Sequence, residues 1–516
     1  VCSNVTVAQD TSGVIIPSVG PQCAAAVGNP GDVVDATKLR DCLHTLVQVW
    51  YDNRYGPAPQ PLRPNIILIL SDDQRWDTTD STHSPFGTDV MPSLRAELGG
   101  AGLEFDEAFM TTPLCCPSRS SILRGQYAHT TGVYGNSPPN GGALSFDDSS
   151  SIGTWLQASG YHTMFLGKYL NGYTQLWDET QGELPYVPPG WNDWQAFEQV
   201  KYYDYNIIEG QTKVYYGTTE ADYSTDVLRT RAISLINNAS QLGQPFFLYL
   251  APKAPHGPWE PAPRHIGMFA SATPWRPPSY NEADVSDKPL WVQALPLLTD
   301  VDMAEIDAIR IAQLEMVQAV DELVAAVMQS LHDNQIDQNT IVIYFADNGW
   351  SWGEHRRRAK NIPYEEAIRS PMFVYYPKLV PLPRTDSRFA LNIDLSPTFA
   401  ELAGATPTIP VDGQSLLRVF DNTAPSWRTD FMTEGYANNR EWATVRESTW
   451  KYTEYVDGEQ ELYNLQDDPY ELNNVAYLPE NAQCVQDMAA RLREIRPGWP
   501  DDTLPGDESE DEGWAD

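Results

Sequence analysis

No stretch of this sequence approaches the ~20 consecutive apolar residues that span a bilayer, although apolar residues make up 41% of its 516 positions. No basic-then-apolar leader opens it, so Val1 reads as a mature terminus. Basic residues are few: 34 Lys and Arg stand against 70 Asp and Glu, a formal charge of −36. A chain this acidic repels nucleic acid, anionic membranes and densely charged polyanions at long range, which excludes those partners, and it suits salty or acidic surroundings. Cysteine is also sparse, at six, and no Cys/His cluster has zinc spacing. There is no internal repeat. The length suits one large α/β domain plus a smaller one.

Four of the cysteines, Cys2, Cys23, Cys42 and Cys484, stand apart, and at least one bridge tying down the N-terminal arm is expected, with the pairing left open. Asn4-Val5-Thr6 and Asn238-Ala239-Ser240 fit the N-glycosylation pattern. With 16 Trp and 26 Tyr, these features point to a secreted or extracytoplasmic glycoprotein.

Buried-strand runs carry the chemistry. Pro64-Asn65-Ile66-Ile67-Leu68-Ile69-Leu70 is continuously apolar after its first two residues, as in a strand covered on both faces of a parallel sheet, and it leads into Ser71-Asp72-Asp73-Gln74. Ile341–Phe345 is a second such run and ends in Ala346-Asp347-Asn348-Gly349. Acids and an amide at the carboxyl ends of two strands lie where ligands bind in open α/β sheets, and their hard oxygens suit Ca²⁺ or Mg²⁺. His162–Leu166 leads into Gly167-Lys168, and Pro245–Leu250 into Ala251-Pro252-Lys253-Ala254-Pro255-His256-Gly257-Pro258. Prolines on either side make His256 stiffer than a surface histidine. Ser151–Ser159 and Glu305–Asn334 read as helices, the latter from its apolar spacing.

The remaining stretch, Leu114-Cys115-Cys116-Pro117-Ser118-Arg119-Ser120-Ser121-Ile122-Leu123-Arg124-Gly125, reads as a loop entering a helix, with Pro117 at its first position and Gly125 closing it. Cys115 then sits at the positive helix end, with Arg119 four residues on to help form an anion site. The Cys-x-Pro-Ser-Arg run followed by Leu-x-Gly resembles the signature of formylglycine-dependent sulfatases of the alkaline phosphatase superfamily. The continuation after Lys168, with Pro188-Pro189-Gly190-Trp191, is most similar to the branch of glucosamine-6-sulfatases, heparan endosulfatases and secreted arylsulfatases.

This resemblance covers residues 63–490 and implies an alkaline-phosphatase-like fold: a large mixed, mostly parallel sheet sandwiched by helices, with a smaller C-terminal antiparallel sheet. It implies Cys115 oxidised to formylglycine by a dedicated machinery during biosynthesis. It further implies calcium, with magnesium second, on Asp72, Asp73, Asp347, Asn348 and residue 115, and Arg119, Lys168, His256 and Lys360 as catalytic residues. The substrate would be a small aryl sulfate or sulfated saccharide. A phosphonate monoester or phosphodiester hydrolase of the same superfamily is the alternative reaction, and an unconverted Cys115 would leave a silent homologue. Many relatives carry a histidine where this chain has Leu170, so that role stays open, with Asn171 a neighbouring candidate. His355 matches a substrate-side position in only some relatives. Arg356, Arg357 and Arg358 either rim the site or pair with surface carboxylates.

The expected organisation is an accessory arm over 1–62 with a helix across Asp35–Tyr51, a catalytic domain over 63–425, a C-terminal subdomain over 426–500 and an acidic tail over 501–516 carrying eight acids. Within the subdomain, Trp442–Val445, Trp450–Tyr455 and Gln460–Asn464 read as antiparallel strands, with Asp457-Gly458 as a hairpin turn.

Overall fold

The computed structural model describes residues 63–500 except 425, 438 and 439. The expected arm with Cys2, Cys23, Cys42 and Asn4, and the acidic tail, lie outside the described residues. Its main sheet has ten strands: β1 (Asn65–Ser71), β2 (Leu103–Phe105), β3 (His162–Gly167), β4 (Asp193–Phe197), β5 (Tyr205–Glu209), β6 (Thr212–Tyr216), β7 (Phe246–Ala251), β8 (Thr340–Ala346), β9 (Met372–Tyr375) and β10 (Arg384–Asp386). Their spatial order is β10-β2-β9-β8-β1-β7-β3-β4-β5-β6. The middle of the sheet, β8-β1-β7-β3-β4, is parallel. Antiparallel pairs flank it.

All seven residues of β1 are buried, which is why its sequence shows no polar alternation. Successive side chains still divide between two cores. Ile66, Leu68 and Leu70 pack with helices α1 (Cys115–Arg124), α2 (Ile152–Ala158) and α5 (Leu395–Ala403). Ile67 and Ile69 face α3 (Ser224–Ala239) and α4 (Asp300–Asp333). Each such Ile or Leu contributes roughly 1.5–3 kcal/mol by leaving water. The helix expected over Glu305–Asn334 begins earlier, at Asp300, because Thr299 caps it: its hydroxyl accepts from Asp302 N at 3.3 Å, and Asp302 answers the Thr299 amide at 2.7 Å.

The second sheet holds β11 (Asp430–Ala437), β12 (Arg440–Glu447), β13 (Trp450–Tyr455) and β14 (Gln460–Asn464), all antiparallel. Its first strand was not expected, since Thr433-Glu434-Gly435 breaks the apolar alternation. One face carries helix α6 (Ala482–Ile495) through Met488 and Leu492. The other buries Phe431, Trp442 and Tyr455 against Phe109, Ile368 and Ile393 of the main unit. Glu434 fastens the join: its carboxylate accepts from the His129 amide at 3.1 Å and from Arg496 at 3.2 Å. Among the described residues Cys115, Cys116 and Cys484 are free thiols.

Candidate active site

Four adjacent parallel strands end at one place. β1 delivers Asp72 and Asp73, β8 delivers Asp347 and Asn348, β3 delivers Lys168, and β7 delivers the loop with Lys253 and His256. Backbone bonds lock these ends together: Asp347 N donates to Ser71 O at 3.1 Å and Asp72 N to Ala254 O at 3.3 Å. Gly167, just before Lys168, sits at φ +115, where an added Cβ would lie 2.0 Å from the Ala251 carbonyl, so only glycine fits. Asp73 is itself left-handed at φ +60, a conformation Asp tolerates better than most residues, and its amide is held by Asp347 Oδ1 at 3.2 Å.

The side chains form an interleaved set of three acids and three cations, all buried. Lys168 Nζ lies 2.5 Å from Asp72 and Lys360 Nζ 2.5 Å from Asp73. Arg119 Nε donates to Asp347 Oδ2 at 2.8 Å, and another of its nitrogens to the Lys168 carbonyl at 2.9 Å. Burial alone would raise the Asp72 carboxyl, but Lys168, His256 and Arg119 outweigh it and hold it well below its ordinary value. Asp347 is the exception: burial and the neighbouring Asp72 charge push it up to about 6. Arg119 therefore serves the carboxylates through Nε, while its Nη2 is buried 3.8 Å from Asp72 with no hydrogen-bond partner.

Cys115 heads helix α1 with no exposed surface. Its Sγ lies 3.5 Å from Asp72 Oδ1, and Lys360 Nζ donates to it at 2.9 Å. Burial, with Asp72 and Asp347 nearby, pushes the thiol well above its ordinary pKa despite both lysines, so the unmodified side chain is a poor nucleophile at neutral pH. Pro117 occupies the third helical position, not the first, because the helix starts at Cys115 itself. Its missing N–H still costs no bond there. Gly125 closes the helix at φ +65 as expected.

The donor set fits a hard divalent cation. Ligand atoms of Asp72, Asp73, Cys115 and His256 lie within 4.8 Å of one another. Asn348 donates its amide nitrogen to Asp73 at 2.6 Å and to Gly349 O, leaving Oδ1 buried with no hydrogen-bond partner. Such an orphaned oxygen beside three carboxylates is what a cation would satisfy.

His256 stands at the mouth with its side chain 32% exposed and Nε2 3.6 Å from Asp73. Its Nδ1 meets the Gly257 carbonyl at 2.7 Å, so Nδ1 carries the proton and Nε2 faces the cluster. Burial and the nearby lysines lower its pKa to about 4, against the pull of Asp73 and Asp72. Lys253, a residue the sequence reading quoted but did not single out, is buried beside it. Its only signal was a lysine in an otherwise apolar strand exit. Leu170 packs in the apolar core, and Asn171 gives its carbonyl to Ala143 N at 2.7 Å.

Other expected residues turn elsewhere. His355 is buried against Glu282 at 2.7 Å and stacked on Tyr364. The three arginines are structural. Arg356 donates to the backbone carbonyls of Glu282, Ala283 and Leu295, Arg357 lies over the Trp291 ring, and Arg358 pairs with Glu305 at 2.9 Å.

The family described as Sulfatase matches residues 64–405, and the one described as N-sulphoglucosamine sulphohydrolase, C-terminal, matches residues 353–498. An arylsulfatase of Volvox carteri is 32% identical over 479 residues, covering 80% of this chain and 71% of that protein. A putative extracellular sulfatase Sulf-1 homolog of Caenorhabditis elegans is 34% identical over 362 residues, 69% of this chain. The chain spans about half the length of that relative, 49%. A solved structure of a protein in complex with its substrate D-glucosamine-2-N,6-O-disulfate superposes with a TM-score of 0.71 at 25% identity, covering 87% of this chain and all of the other.

Proposed function

The chain belongs to the sulfatase family and is a sulfatase, and from that premise we propose that it hydrolyses sulfate monoesters at residue 115, converted from cysteine to formylglycine. The observation that carries this reading is the position of Cys115, buried at the head of a helix between Lys360 and Asp72 where four parallel strands end. The hydrate of the aldehyde gives residue 115 two hydroxyls. One would attack sulfur in line with the departing alcohol, and loss of the proton from the other would expel sulfate as the aldehyde re-forms. A thiol held neutral by burial cannot do this.

A divalent cation held by Asp72, Asp73, Asp347 and Asn348, with calcium favoured by these oxygens over magnesium, would supply Lewis-acid polarisation. Arg119 fixes Asp347 and the Lys168 carbonyl. Lys168 and Lys360, now on the carboxylates, would turn their positive charge to the sulfate oxygens, and His256 or Lys360 would protonate the leaving alcohol. The buried lysines also make the centre receptive to an anion in an otherwise acidic protein.

The substrate we propose is a small aryl sulfate or sulfated sugar. The arylsulfatase relative and the neighbour bound to a sulfated glucosamine support that range, and the −36 charge disfavours a heparan-type polymer. The two sequons and the relative named as a putative extracellular sulfatase support secretion or an extracytoplasmic site. No described helix is long and apolar enough to cross a membrane.

Turnover of 4-nitrophenyl sulfate, set against 4-nitrophenyl phosphate and phenylphosphonate esters, tests the reaction. Preference for the sulfate is expected, and preference for a phosphonate or phosphodiester would replace this reading with the rival hydrolase. Mass spectrometry of the peptide containing residue 115 is expected to find the lighter aldehyde, and an unconverted cysteine throughout would indicate a silent protein.

A further inference from the structure

Lys253 lies three residues before His256 in the loop leaving β7, and the His256 amide donates to the Lys253 carbonyl at 3.0 Å. Lys253 is 3% exposed, and its ammonium donates to the Gly257 carbonyl. That oxygen also takes His256 Nδ1 at 2.7 Å. One carbonyl thus joins both side chains. On its other side the ammonium stands 4.9 Å from the centre of the Tyr202 ring, and the Tyr202 hydroxyl donates to the His256 carbonyl at 2.6 Å. Tyr202 is itself buried.

We propose that Lys253 is a positioning residue for His256. Its ammonium fixes the Gly257 carbonyl, and that carbonyl in turn fixes Nδ1 and keeps Nε2 turned into the cleft. Burying an ammonium is costly unless it is bonded, and burial does lower the Lys253 pKa to about 8. The loop bears that cost at the residue that sets the imidazole orientation. A cation–π contact and a charge-assisted bond to a backbone carbonyl offset part of it. The Tyr202 hydroxyl holds the His256 backbone while Lys253 holds the acceptor of its side chain, so the ring cannot swing without breaking its bond to the Gly257 carbonyl. The inference rests on the reading of His256 as a proton donor to the leaving alcohol, Nε2 taking up its proton once the anionic sulfate ester faces it.

The test is steady-state turnover of two aryl sulfates, 4-nitrophenyl sulfate and the poorer leaving group 4-methoxyphenyl sulfate, by wild type, Lys253→Met, Lys253→Arg and Cys115→Ala. A displaced proton donor costs most where the leaving group needs the proton. Lys253→Met is therefore expected to lose about tenfold in kcat on the methoxy ester but less than about threefold on the nitro ester, with KM within about twofold. Lys253→Arg, which keeps a cationic donor, is expected to recover most of the loss. An equal loss on both esters, or none, would overturn the proposal. If Lys253→Met does not fold, Tyr202→Phe keeps the ring under the ammonium and drops only the bond to His256. The same leaving-group selectivity is then expected, and its absence overturns the proposal. Turnover abolished in Cys115→Ala but unchanged in Lys253→Met refutes this inference alone, whereas turnover surviving in Cys115→Ala refutes the reading beneath it.

Discussion

Consider Asp347→Asn in protein stripped of divalent cations. Burial and the adjacent Asp72 carboxylate push the Asp347 carboxyl up to about 6, from an ordinary 3.8. A raised folded value means that the protonated form is favoured on folding. The associated stability is fully present below about 3.8 and is lost as the pH rises through about 6. At pH 7.5 the ionised carboxylate thus costs the folded state about two pK units, roughly 3 kcal/mol. Asparagine removes that cost. Its single oxygen can accept from Arg119 Nε or from Asp73 N, which now bond Oδ2 and Oδ1 at 2.8 and 3.2 Å, but not from both, a loss of about 1 kcal/mol. The variant should therefore be about 2 kcal/mol more stable than wild type in chelator at pH 7.5. Its advantage should shrink as the pH falls and vanish near pH 4, where wild type is protonated. For the roughly 440 described residues at about 2.1 cal/mol/K each, this is a rise in Tm of about 2 °C. With excess cation the order reverses, because wild type gains about 2.7 kcal/mol at a hundredfold excess over Kd and the variant gains less. Thermal melts with chelator and with added calcium read both arms. An Asp347→Asn protein destabilised by more than about 1 kcal/mol in chelator at pH 7.5 would refute the reasoning.

Cys115→Ala should lower turnover of 4-nitrophenyl sulfate by at least about a thousandfold with Tm nearly unchanged, as read by steady-state kinetics beside a melt. Gly349→Ala places a Cβ 2.2 Å from the Glu366 carbonyl, right after Asn348, the ligand proposed above. A loss of about 2–4 kcal/mol in urea unfolding and of activity with it is expected. His129 is driven down by burial but driven up more strongly by the Glu434 carboxylate that bonds it at 2.9 Å, so its pKa is raised on folding. Stability from this pair is complete below the ordinary imidazole value and is lost as the pH rises through the raised one. Unfolding midpoints measured upward from about pH 6.5 should show that loss in wild type and much less of it in Glu434→Gln.

The central strands were legible because a doubly covered parallel strand needs a continuous apolar run, and Asn65–Ser71, Phe246–Ala251 and Thr340–Ala346 all have one. Polar residues immediately after such a run mark the ligand edge of the sheet, which made Asp72, Asp73, Asp347, Asn348 and His256 visible in the sequence. Lys253 was not visible, because a lysine earns a structural role only from what surrounds it, and Tyr202 reaches it from about fifty positions away in the chain. The Arg356–Arg358 run stayed open between a rim and surface pairs for the same reason: Arg358 does pair with the half-exposed Glu305, while the acceptors that take up Arg356 are backbone carbonyls of Glu282, Ala283 and Leu295. Strand β11 was missed because Glu434 and Gly435 interrupt its apolar pattern. The carboxylate is buried in a bonded network, and Trp442 fills the space over the glycine, where a Cβ would lie 2.4 Å from its ring.

Titrating calcium into chelator-treated protein while following heat and 4-nitrophenyl sulfate turnover in the same samples tests the central claim most directly. One ion per chain, bound with a parallel return of turnover and lost in Asp72→Ala and Asp73→Ala, is the predicted result. Full turnover in chelator, or undiminished calcium binding once both aspartates are gone, would contradict it.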